Sequence, residues 1–117
     1  MKLITYTAAA LLLALPALAD LPQVLEVKAT QSGESWRFDV RLTHADTGWD
    51  HYADGWGVYL EDGTELGYRE LAHPHVNEMP FTRSLSGVEV PEGITRVFIR
   101  PRDLVHGEGE LFAVDLP

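Results

Sequence analysis

The chain has 117 residues, a formal net charge of −9, 45% hydrophobic residues and no cysteine. That length supports a single domain, and the acidic balance argues against a nucleic-acid partner, which needs clustered Lys and Arg to displace counterions. Without cysteine there is no disulfide scaffold, thiolate metal site, redox motif or cysteine nucleophile.

The N-terminal segment reads as an address. Met1-Lys2 is a short basic start, residues 8–15 are apolar, Pro16 breaks the run, and Ala17-Leu18-Ala19 is a small-x-small cleavage site ahead of Asp20. Spanning a bilayer takes about 20 apolar residues, and this run is interrupted at Pro16 and ended at Asp20. A signal peptide over 1–19, cleaved after Ala19, is therefore predicted. No Cys follows the run to carry a lipid. The expected product is one periplasmic domain, 20–117, with no membrane attachment after cleavage.

Seven strands are predicted in that domain. The first lies at about 24–29. In the second, Trp36, Phe38, Val40 and Leu42 alternate with Arg37, Asp39, Arg41 and Thr43, the period-two pattern of a strand with one buried and one wet face. The others fall at 56–60, 64–71, 81–89, 94–100 and 110–116. Turn chemistry separates them: Gln31-Ser32-Gly33, Glu61-Asp62-Gly63-Thr64 with its hairpin-forming Asp-Gly pair, and Pro91-Glu92-Gly93. No segment of the domain shows a helical repeat.

Short strands at this spacing predict an all-β fold, a seven-stranded antiparallel β-sandwich of immunoglobulin or fibronectin type III kind. The organisation resembles such domains, and residues 88–103 resemble the last two strands of bacterial Ig-like modules. The missing cysteine pair sets the chain apart from antibody-type domains. A small open barrel is the other architecture this pattern allows.

If every connection reverses the chain, the loops at 44–55, 72–80 and 101–109 share one pole. All five histidines, His44, His51, His73, His75 and His106, fall in these loops. In His73-Pro74-His75 the residue before Pro is pushed toward extended backbone, so both rings project to one side, and neutral imidazole is a good donor to copper or zinc. The expected metal ligands are His51, His73, His75 and His106. Asp50, Asp54 and Glu78 stand near them in sequence as accessory ligands or acceptors for the second ring nitrogen. His44 continues the inward parity of Trp36 to Leu42 and is expected to cap the core outside the site.

Trp49 and Tyr52 are candidates for partner contact, with Trp56 expected in the core. Asp46, Asp50 and Asp54 are four apart, whereas a calcium loop wants oxygen ligands at alternate positions. No nucleophile elbow, phosphate-binding glycine loop or H-E-x-x-H motif is present, so no enzyme activity is expected. Three functions remain open: a small exported binding module holding copper or zinc at a histidine pole, a non-catalytic interaction or envelope domain in which histidines and carboxylates clamp the loops without metal, or acid sensing by clustered imidazoles that charge near pH ~6.

Overall fold

The computed structural model describes residues 21–117; the expected signal peptide lies outside them. The described chain is all-β, with eight strands: β1 (Gln23–Ser32), β2 (Ser35–Thr43), β3 (Ala53–Tyr59), β4 (Glu65–Glu70), β5 (Phe81–Val88), β6 (Arg96–Asp103), β7 (Gly107–Glu108) and β8 (Phe112–Asp115). They form two antiparallel sheets. One has the order β1-β2-β5; the other has the order β4-β3-β6-β7, with β8 also paired to β6. Among the described residues no helix is long and apolar enough to cross a membrane.

The alternation read in β2 is what fixes its place. Phe38, Val40 and Leu42 are fully buried and Trp36 nearly so, and each such side chain contributes about 1.5–3 kcal/mol when withdrawn from water. They join Trp56 and Val58 of β3, Phe81 and Val88 of β5, Val97 and Ile99 of β6 and Val114 of β8 in one apolar cluster shared by both sheets.

The opposite face of β3 is left open by glycine. A Cβ on Gly55 would lie 2.0 Å from Tyr68 Oη, and one on Gly57 would lie 2.6 Å from Tyr59 Oη. Two tyrosine rings thus lean over positions that only glycine leaves open. This packing buries Gly55 and Gly57 as well as the inward residues of the same strand.

Seven strands were expected, and the eighth is the two-residue β7. After β6 the chain turns at Leu104 to His106, passes through Gly107 at φ 83°, a conformation that favours glycine, and pairs back on Arg102 and Asp103. Gly109 N then donates to Pro101 O at 2.7 Å before β8 continues along β6. The final strand expected at 110–116 is β8, and β7 is an added pairing inside the loop expected at 101–109, which returns His106 to the end of β6.

Register places the loops. Phe81 faces Leu42, Glu70 faces Gly55 and Asp103 faces Ala53. The ends of β4 and β6 meet the start of β3 in one sheet, and the end of β2 meets the start of β5 in the other. The β2–β3, β4–β5 and β6–β7 connections then close over this end, because side chains of His44 and Asp103 bridge the two sheets there.

Candidate metal centre

Asp103 is the last residue of β6, on the buried parity of Val97, Ile99 and Pro101, and it is fully buried. Its Oδ1 accepts the backbone amides of Val105 at 2.8 Å and His106 at 2.5 Å, an aspartate-capped turn. Oδ2 is left to meet three rings. His106 Nδ1 stands 3.0 Å from it, His44 Nε2 3.2 Å and His51 Nε2 3.3 Å.

Burial pushes the Asp103 carboxyl up, but the His106 amide and ring, the His51 ring and the Val105 amide outweigh it and hold the group at about 2. It is a carboxylate at neutral pH.

Each ring is delivered by local structure. His44 follows directly on β2 and is buried. His51 is turned back toward it by a closed loop: Thr47 N donates to His51 O at 3.0 Å and His51 N to Gly48 O at 3.2 Å, with Gly48 at φ 146°. The His44 and His51 rings meet edge to face at 4.8 Å, and His51 meets His106 at 5.0 Å.

Behind His44 sits a second buried carboxylate. Asp46 Oδ1 lies 2.6 Å from His44 Nδ1 and accepts the Ala53 amide at 3.0 Å, while Oδ2 accepts the His75 amide at 2.8 Å. Because Asp46 is an acceptor here, His44 Nδ1 carries a hydrogen, and in the neutral ring Nε2 then holds a lone pair aimed at Asp103 Oδ2. Two lone pairs at that separation call for a cation between them, either a proton on the ring or a metal ion.

A tetrahedral ion with bonds of 2.0–2.2 Å spaces its donors roughly 3.3 Å apart, close to the three distances at Oδ2. His44, His51 and Asp103 each offer one ligand atom, all within 4.8 Å of one another, and His106 Nδ1 adjoins the same oxygen. The carboxylate–imidazole–ligand arrangement of Asp46 and His44 is also the usual outer support of a metal-bound histidine.

The structure thus brings His51 and His106 together, and adds His44 and Asp103. His44, expected to cap the core outside the site, is buried as its parity implied, and its ring also lies against His51 and Asp103. Asp103 was not singled out, although a carboxylate on the inward parity of an apolar strand was the signal that could have found it.

His73 and His75 lie in the β4–β5 connection but do not join the group at Asp103. Their rings are tilted at 32° with centroids 4.5 Å apart, and His75 stacks on Phe81 at 3.9 Å. His75 Nε2 accepts from Arg83 Nη2 at 3.0 Å, so that lone pair is occupied. Burial, with Arg83 and His73 beside it, pushes the His75 ring pKa down. The link to the centre is through backbone, by way of Asp46.

The accessory carboxylates disperse. Asp54 pairs with Arg102, while Asp50 and Glu78 are exposed. Trp49 is 66% exposed and meets Tyr52 edge to face at 5.8 Å. Trp56 is in the core as expected.

A scan against protein families gives no match. The chain is 49% identical over 77 residues to a protein of Halomicrobium mukohataei named "Putative lipoprotein"; the match covers 66% of this chain and 37% of that relative. The match therefore spans little more than a third of the relative's length. A crystal structure of a hypothetical protein from Pyrococcus horikoshii OT3 superposes with a TM-score of 0.55 at 14% identity, covering 83% of this chain and 86% of that one. At that identity the likeness is one of fold alone.

Proposed function

We propose that this protein is a small exported binding module that holds a divalent transition metal ion, copper or zinc, through His44, His51, His106 and Asp103. The carrying observation is that three imidazole nitrogens from two separate connections stand within 3.0–3.3 Å of one oxygen of a fully buried carboxylate. A buried carboxylate needs a compensating cation. With Asp46 also buried beside His44, a divalent ion balances the pair with one species.

Two features support export to the periplasm: the leader-like layout of residues 1–19 and the lipoprotein name of the relative. In architecture the reading is an immunoglobulin or fibronectin type III-like β-sandwich. Support comes from the pairing of first, second and fifth strands in one sheet and of third, sixth and last in the other, the neighbours an Ig domain has. The fourth strand lies beside the third. The proposed role is carriage or buffering of the ion, with no catalysis.

Calorimetric titration with Zn(II) and Cu(II) tests this. The expected result is one equivalent bound with Kd below about 10 μM. Binding is lost in the His51→Ala/His106→Ala double variant and kept in His73→Ala. No binding in that range overturns the proposal.

A second reading, an interaction or envelope domain without metal, draws on Trp49, Val76, Leu104 and Val105, all exposed and all in the three connections around the centre. It expects a thermal midpoint indifferent to Zn(II) and Cu(II).

A further inference from the structure

The three-stranded sheet has one covered margin and one open one. On the outer side of β5, Arg69 Nε of β4 donates to Ser84 O at 3.0 Å. At the opposite margin β1, ten residues long, pairs with β2 and, among the described residues, with no other strand. The longest described strand therefore presents a row of unpaired amides and carbonyls, a template for another strand.

Its side chains alternate in character as well as in direction. Val27 and Ala29 pack against the core, whereas Glu26, Lys28 and Thr30 are exposed. On the exposed face Glu26 stands opposite Arg41 of β2, with Oε1 3.9 Å from Nη1, and Lys28 stands opposite Asp39. A bulge between Val24 and Glu26 interrupts the register before this run and bends the strand there.

We propose that β1 pairs antiparallel with β1 of a second copy about a two-fold axis at Val27, joining the two three-stranded sheets edge to edge. Such an axis makes one residue face itself, and side-chain charge selects which. An axis at Lys28 sets two ammonium groups against each other, and one at Glu26 sets two carboxylates together. With the axis at Ala29, neither charge meets an opposite one. At Val27, Glu26 meets Lys28 of the second copy, and Lys28 meets Glu26 of the second copy. Each row then crosses the joined sheet as Arg41, Glu26, Lys28 and Asp39, changing sign at every step.

On the inner side Val27 meets its own copy, and Ala29 meets Leu25, which is 44% exposed in the single chain. Exposed ion pairs add little affinity, so backbone hydrogen bonds hold the dimer and the charges fix its register. Pairing over 25–29 makes a small interface, and the association is reversible. It rests on the free edge of β1 and not on the metal centre.

Sedimentation equilibrium of the full protein tests this. The expected result is a monomer–dimer equilibrium with Kd below about 500 μM. Glu26→Lys and Lys28→Glu each create two like-charged pairs at the contact and raise that Kd by about tenfold. Both sites are exposed, so the variants keep the fold, which circular dichroism checks. Mixed in equal amounts, the two variants associate with each other at the parent affinity, because every lysine of one now faces a glutamate of the other. A monomer throughout that range overturns the proposal. So does a dimer whose Kd neither variant moves, or a mixture that stays as weak as its components.

Discussion

His44 Nδ1 and Asp46 Oδ1 stand 2.6 Å apart with both side chains buried, and this contact sets which nitrogen of His44 faces Asp103. With the hydrogen on Nδ1, Nε2 faces Asp103 and His51. The two residues are only two apart in sequence, yet Asp46 also ties down the first residue of β3 and the amide of His75. One carboxylate thereby sets a ligand's tautomer and pins two connections.

Asp46→Asn is expected to keep its amide oxygen on His44 and Ala53 and to turn its NH2 toward the His75 amide, donor against donor. The loss of that hydrogen bond lowers stability by about 1–3 kcal/mol. A neutral acceptor behind His44 makes it a poorer ligand and lowers metal affinity by about 10–100-fold. Chemical denaturation and a metal titration on the same variant separate the two effects.

Acid should act through Asp103. Its folded pKa of about 2 lies below the ordinary carboxylate value, so the group adds stability above pH ~4 that is lost as pH falls through about 2. Thermal midpoints measured from pH 5 to pH 2 are expected to fall. Asp103→Asn should begin lower at neutral pH and lose less over that window, and an unchanged slope would remove Asp103 from this role.

On the far face of β3, Gly55 and Tyr68 are coupled. Burial raises the Tyr68 hydroxyl to about 12, so its neutral form favours the fold and this contribution is lost as pH rises from ~10 through about 12. Gly55→Ala places a methyl where the phenol end lies and should swing the partly exposed ring outward, costing about 1–2 kcal/mol in lost ring burial. Absorbance at 295 nm should then show one tyrosine titrating nearer 10 than in the parent.

Trp56 fills the middle of the shared core with no exposed surface. Trp56→Ala is expected to cost about 3–5 kcal/mol, a large part of the stability of a domain this size. Urea unfolding checks it, and a cost below 1 kcal/mol would mean that the core is not organised around this ring.

Much of this was legible in the sequence, for identifiable reasons. The alternation from Trp36 to Leu42 named its own buried face, and the turn residues located the reversals that bring three connections to one end. The all-β class and the core place of Trp56 followed from the same periodicity. What pattern could not supply was side-chain direction beyond the strand ends. His44 and Asp103 keep the inward parity of β2 and β6, and parity alone reads such residues as core or as loop; only the joining of the two sheets turns them toward each other.

His73 and His75 show the converse. A spacing of two puts both rings on one side, but the side they share is occupied by Phe81 and Arg83, a contact from the next strand that no local pattern encodes. β7 falls in the stretch read as the 101–109 loop, where Gly107 and Gly109 fold the chain back on the end of β6 through a pairing only two residues long.

The most direct measurement is X-ray absorption at the zinc edge of the protein loaded with one equivalent of zinc. The account predicts four nitrogen or oxygen scatterers at about 2.0–2.1 Å, with the outer-shell pattern of three imidazoles, reduced to two in His44→Ala. A first shell of oxygen alone without imidazole scattering, or a spectrum unchanged by His44→Ala, would contradict it.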